Sequence, residues 1–191
     1  MKRKIICAAV CLSVMLTAAS CGSKSVANEN NTAADVSVTN TETYPLADVT
    51  KFDISSNDLH DGVWDSVITN TENGANKSPQ LSWEPVEGAS SYVVYMVDTT
   101  ANNWLHWRSE NLTVTSLEQG SAPAEQYIGP YPPSGTHTYE IYVYALKEPS
   151  DKIPGALDCP TDNFENFEVY LNDQGTVLAY GHIAGTYTHG V

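Results

Sequence analysis

The side chains able to do chemistry in this chain are few, and most of them are histidine or aspartate. His60, His106, His137, His182 and His189 are its five histidines. Asp98 closes the apolar run Tyr92-Val-Val-Tyr-Met-Val97, so a carboxylate stands at what reads as a strand end. Histidine changes charge near neutrality, and a neighbouring carboxylate favours its protonated form or fixes its tautomer. An aspartate beside one or two imidazoles therefore suits three chemistries: holding an anion, ligating a metal, or transferring a proton. No serine or cysteine sits in a recognisable nucleophile motif, so covalent catalysis has no candidate. Cys159, in Leu157-Asp-Cys-Pro160, has no base beside it in sequence and is read as a packing residue. Which of these groups act together depends on the elements that carry them.

Those elements read as β-structure with one short helix. Phe52 to Ile54 alternates as a short strand, Asp61-Gly62 marks a turn, and Gly74 to Pro79 is a loop leading into Leu81-Ser-Trp83. Tyr92 to Val97 is apolar throughout and rich in Val and Tyr, which predicts a central strand covered on both faces. His106-Trp107 and Leu112 suggest another short strand, and Tyr139 to Leu146 a second long one. Between them, Gly129-Pro-Tyr-Pro-Pro-Ser-Gly135 carries three prolines and two glycines, which predicts a rigid loop and no regular element. Phe164, Phe167 and Leu171 recur at helical spacing, with Thr161 as the expected cap and Gly175 as the stop. Val177 to Tyr187 resumes strand character.

The chain's start has a different character. Lys2, Arg3 and Lys4 precede the apolar run Ile5 to Leu16, and Ala18-Ala-Ser-Cys21 follows. This pattern predicts a lipoprotein-type signal over residues 1–20, with Cys21 becoming the acylated first residue, and hence export and a lipid anchor on the extracytoplasmic face of a bacterial membrane. Residues 21–48 are rich in Asn, Thr, Ser and Ala and read as a disordered tether, leaving 49–191 as the folded domain. Removing the three leading basic residues leaves six Lys/Arg against 23 Asp/Glu, a net charge near −17. Such a surface excludes nucleic acid as an expected partner, and an anionic membrane would repel it, so contact with a membrane would rest on the acyl anchor. With Cys7 and Cys11 lost and Cys21 acylated, the domain is expected to fold without an internal disulfide.

The window Leu81-Ser-Trp-Glu-Pro-Val-Glu-Gly-Ala-Ser-Ser-Tyr92 resembles fibronectin type III modules, which would make the chain a plain interaction module. Such sandwiches run to about 100 residues, however, and would leave dozens here unexplained. A longer ordered set points elsewhere. Ser78-Pro-Gln-Leu-Ser-Trp83 is followed by Ser91-Tyr to Val97-Asp98, then His106-Trp107. Gly129-Pro-x-Pro-Pro-x-Gly-x-His137-x-Tyr139 and Tyr144-Ala-Leu146 come next, with Asp61-Gly62 before and Ala184-Gly-Thr-Tyr187 after. This set resembles the phosphatidylethanolamine-binding protein family, in particular its bacterial Raf-kinase-inhibitor-like branch, over residues 52–188.

The resemblance implies an all-β sandwich of two antiparallel-rich sheets with one or two short helices toward the C-terminus. It also implies an anion-binding pocket lined by Asp98, His106, His137 and Tyr139, with Gly129, Pro130 and Pro132 shaping its loop. In this reading Gly129 lets backbone approach a ligand. The implied function is non-catalytic binding of a small anionic ligand, phosphate or a phospholipid headgroup, with no cofactor and no metal. The alternative it implies is an inhibitor or modulator of a partner protein such as an extracytoplasmic protease. Two departures from the family pattern stand out. The strand-end aspartate is followed here by Thr99-Thr100 instead of Pro-Asp, and Thr138 replaces the arginine between the histidine and the tyrosine.

Overall fold

The computed structural model describes residues 46–190 apart from Asp151 and Asp162. The expected signal segment, Cys21 and most of the expected tether lie outside the described residues. In chain order the described elements are β1 (Thr50–Phe52), β2 (Ile54–Ser55), β3 (Leu59–His60), β4 (Val63–Trp64), β5 (Leu81–Trp83), β6 (Ser91–Asp98), β7 (Trp104–Leu112), β8 (Ser116–Leu117), β9 (Thr136–Leu146), α1 (Glu165–Gly175) and β10 (Val177–Thr188). A large sheet runs β3-β4-β10-β9-β6-β7, with β1 also pairing along β10, and a small sheet runs β2-β5-β8. All pairs are antiparallel except β1 and β4, which lie parallel to β10. The expected all-β sandwich with one short helix is the observed fold.

The sandwich follows from the parity of β6. Every residue of that strand is buried, and successive side chains leave on opposite faces. Tyr92, Val94 and Met96 enter a core with Trp83 and Leu81 of the small sheet and with Trp107, Tyr139 and Ile141. Val93, Tyr95 and Val97 enter a second core with Phe164, Phe167 and Leu171 at the helix. The continuous apolar run is thus covered by the small sheet on one side and α1 on the other. Each such aliphatic side chain contributes about 1.5–3 kcal/mol of burial. Leu46, in the segment read as tether, is fully buried in the second core, so the folded part reaches further back than residue 49.

Three expectations need correction. The helix begins at Glu165 with Phe164 at the cap position and no side-chain cap bond, so Thr161 does not cap it. Asn163 Oδ1 instead accepts the Glu165 N–H at 3.0 Å. The stretch around His106 is no short strand but part of nine-residue β7. Cys159 is buried and disulfide-bonded, which overturns its reading as a plain packing thiol.

Candidate functional site

The end of β6 carries the first component. Asp98 is the N-cap of a single 3-10 turn, Thr99–Ala101, and its Oδ1 accepts the N–H groups of Thr100 and Ala101 at 2.9 and 3.1 Å. Those donors would otherwise be orphaned at the turn's start, and a short acceptor side chain suits the position. The turn closes through Asn102 and Asn103, both at positive φ, a conformation asparagine tolerates better than most residues. Asp98 Oδ2 is left to point across the sheet.

His137 meets it there. The β6–β9 register ends at Asp98↔Tyr139, so His137, two residues along β9, shares the face of Asp98. Its Nδ1–H donates to Asp98 Oδ2 at 2.6 Å, with side-chain exposures of 12% and 5% for the pair. The bond fixes Nδ1 as a donor and leaves Nε2 for the cavity.

His106 arrives by a bulge. The β6–β7 register steps from Met96↔Trp107 to Val97↔Leu105, leaving His106 as the extra residue of β7. A bulge breaks strict alternation and re-aims a side chain. The His106 ring then packs edge-on against Tyr139 at 5.3 Å between centroids, while Trp107 keeps its place in the core. Its Nδ1–H donates to the Ile128 carbonyl at 2.9 Å. Burial holds the imidazole below its ordinary value of 6.5, against the opposing pull of that carbonyl and of Asp98. His106 is therefore a neutral ring at neutral pH, with Nε2 as its remaining polar atom.

These groups surround one cavity of about 440 Å³, lined by Asn70, Asp98, Ala101, Trp104, His106, Ile128, Gly129, Tyr131, Pro133, His137 and Asp158. Asp98, His106, Gly129 and His137 thus come together as the sequence reading places them. Tyr139, expected in the lining, stands behind it, and Pro130 and Pro132, expected to shape the loop, are also outside the lining. Tyr139 packs against both imidazoles. Its buried hydroxyl makes no well-directed hydrogen bond among the described residues, yet lies close enough to Asp98 to feel its charge. Burial first, then that carboxylate, push the phenol well up, so it stays a neutral donor. The Pro130 carbonyl accepts the Asn70 N–H at 2.9 Å, and the Pro132 carbonyl accepts from His189 Nδ1 at 2.8 Å. Pro130 and Pro132 hold the loop, and the neighbouring Pro133 lines the cavity.

Gly129 has a different reason than ligand approach. A Cβ there would stand 2.2 Å from the Ile68 carbonyl oxygen and 2.8 Å from Asn70 N. The missing side chain lets the loop lie against residues 68–70, and the Gly129 N–H donates to Asn76 Oδ1 at 2.6 Å.

The far wall was not anticipated from sequence. Asp158, at positive φ, accepts the Trp104 Nε1–H at 3.0 Å, and its backbone N–H donates to Leu105 O at 2.9 Å. Tyr131, 61% exposed, stands at the rim. His60 and His182 pair instead with Asp65 and Glu140, and His189 binds the Pro132 carbonyl, so none of the three joins the cavity. Among the described residues no cluster of three or more metal-ligating side chains occurs.

Comparison with known proteins agrees with this architecture. The family model for the phosphatidylethanolamine-binding protein matches residues 55–188. A UPF0098 protein from Methanothermobacter thermautotrophicus is 31% identical over 141 residues, which is 63% of this chain and 88% of that protein. Among solved structures, Escherichia coli YbcL, described as a member of the mammalian PEBP family, superposes with a TM-score of 0.55 at 25% identity. That match covers 73% of this chain and 99% of YbcL. The homologue CT736 from Chlamydia trachomatis superposes with a TM-score of 0.54 at 21% identity, over 72% and 97% of the two chains. With the family model matched over residues 55–188, the chain belongs to the phosphatidylethanolamine-binding protein family.

Proposed function

We propose that this chain binds, without catalysis, a small phosphate-bearing ligand in the cavity between Asp98, His106 and His137. The observation that carries the reading is the 2.6 Å bond from His137 to Asp98 beside a half-open, mostly apolar recess. It spends one imidazole nitrogen on orientation and leaves the other for a ligand oxygen. Pockets that bind small molecules combine an apolar wall with a few placed polar groups in this way. Asn70 and the rim hydroxyl of Tyr131 add further hydrogen-bonding groups.

The charge of the lining narrows the ligand. It includes two carboxylates, Asp98 and Asp158, and neither lysine nor arginine. With His106 neutral, His137 is the one side chain of the lining that can supply positive charge. A singly charged phosphodiester, such as a lipid headgroup, suits this better than a doubly charged monoester. No lining side chain is placed as a nucleophile with an attendant base, which supports binding over turnover.

The test is an NMR titration of the folded domain with inorganic phosphate and with glycerophosphoethanolamine, the diester. The ring signals of His106 and His137 should move together and saturate at lower concentration with the diester. If neither ring responds to millimolar ligand while the fold stays intact, the reading fails.

Export and anchoring through Cys21 belong to the same proposal and rest on the leader pattern. They meet one chemical condition. A Cys21 sulfur that carries an acylglyceryl thioether is closed to any disulfide. Intact-mass measurement of the mature chain, with and without reductant, separates the cases. A diacylglyceryl mass starting at Cys21 supports the anchor; a reducible bond between Cys21 and Cys159 overturns it.

A further inference from the structure

The two departures from the family pattern, Thr99-Thr100 and Thr138, lie in contact. The β6–β9 ladder stops at Asp98↔Tyr139, whereas the β9–β10 ladder continues through Thr138↔Thr186, His137↔Tyr187 and Thr136↔Thr188. The segment that carries His137 therefore overhangs β6, with its backbone groups on that side lacking a strand partner. Two threonine side chains take the strand's place. Thr100 Oγ1 accepts the Thr138 N–H at 3.0 Å, and Thr99 Oγ1 donates to the Thr138 carbonyl at 3.4 Å. Both threonines sit on the turn that Asp98 caps through Oδ1. One carboxylate thus organises the turn and receives His137, and the turn's hydroxyls clamp the residue next to His137 from the other side.

We propose that Thr100, with Thr99 in support, is a positioning residue that holds the His137 ring on Asp98 and so sets the direction of Nε2 into the cavity; its effect on binding rests on the function proposed above. The role belongs to the Thr100 hydroxyl and to the backbone of Thr138. The Thr138 side chain has no part in it, although position 138 is where the family's arginine is missing. A threonine pair in place of Pro-Asp is not a neutral change at the rim. A proline at position 99 would have no hydroxyl to donate to the Thr138 carbonyl, and an aspartate at position 100 would accept the Thr138 N–H only by placing a further negative charge on the turn beside Asp98.

The test compares Thr100→Val, which removes the acceptor at nearly equal volume, with Thr100→Ser, which keeps it, and with Thr138→Ala. Nitrogen-15 spectra of the His137 imidazole report which ring nitrogen is protonated and how uniformly. Thr100→Val should broaden or shift these signals toward a mixture of tautomers and weaken glycerophosphoethanolamine binding by roughly threefold, as expected for one partly exposed hydrogen bond. Thr100→Ser should stay within about twofold of the parent, and Thr138→Ala should change neither readout. Because Thr100 is exposed and Thr138 only partly buried, all three variants should fold. Unchanged His137 ring signals in Thr100→Val overturn the inference. A parent protein that binds neither phosphate compound refutes the proposed function instead, and the ring spectra still decide the role of Thr100.

Discussion

Replacing Asp98 by asparagine isolates the bond on which the site depends. The amide oxygen can still accept from Thr100 N and Ala101 N, so the turn survives. The other end of the amide becomes a donor facing the His137 Nδ1–H, and two donors cannot bond. His137 must either turn away or move its proton to Nε2, so that Nδ1 accepts from the new amide. The lost interaction is a short hydrogen bond to an ionised carboxylate, buried on both sides, and such bonds contribute about 1.5–3 kcal/mol. Taking about 2 kcal/mol, the melting temperature should fall by roughly 4–8 °C. The tautomer change turns the Nε2 atom facing the cavity from the binding state to a fixed neutral donor and removes its means of carrying charge. Affinity for a phosphodiester should drop about tenfold or more, the equivalent of 1.4 kcal/mol. Differential scanning calorimetry, nitrogen-15 spectra of the ring and isothermal titration read the three effects. A variant with the parent's melting temperature and the parent's His137 tautomer would refute the reasoning, because the 2.6 Å bond would then be carrying nothing.

Other perturbations give equally definite outcomes. Gly129→Ala should cost about 1–3 kcal/mol or more, since its methyl would meet the Ile68 carbonyl oxygen at 2.2 Å; thermal unfolding measures it, and a parent-like midpoint would show that residues 68–70 yield freely. Trp104→Phe removes the donor to Asp158 while keeping an aromatic wall. It should cost about 1 kcal/mol and loosen the loop around residue 158, seen as faster amide exchange there. His106 is held below its ordinary 6.5 by burial, so the unfolded chain takes up its proton first as the pH falls. Stability is therefore fully present above about 6.5 and should decline below it by up to roughly 1.4 kcal/mol per pH unit. A His106→Gln variant, keeping a donor toward the Ile128 carbonyl, should lose that part of the acid dependence in denaturant titrations, and an unchanged slope would contradict the assignment.

The long-range arrangement was legible where one local pattern dictated it. The unbroken apolar stretch of β6 can only be a strand covered on both faces, and its parity puts Asp98 on the face shared with Tyr139 and His137. The Pro/Gly content of 129–135 likewise requires a loop. Three features of the site were beyond local sequence. The bulge at His106 is a register event between two strands, and nothing in Leu105-His-Trp107 encodes which residue will be the extra one. Asp158 reaches the cavity from a distant loop through a backbone conformation that asparagine and glycine signal more clearly than aspartate does. The Thr99-Thr100 clamp reads in sequence as a lost motif, because the partner that gives it meaning lies 38 residues away. The misplaced start of α1 has a simpler cause: Thr161 fits the capping rule, but Asn163 is nearer and supplies the acceptor.

The central claim is that the cavity holds a phosphate group against His137 Nε2. A crystal structure of the domain soaked with glycerophosphoethanolamine tests this most directly. The account predicts a phosphoryl oxygen at hydrogen-bond distance from that nitrogen, about 2.7–3.2 Å, with His137 Nδ1 still on Asp98 and the His106 ring forming the adjacent wall. A saturating soak that leaves the cavity without phosphate, or places the phosphate at another surface, would contradict it.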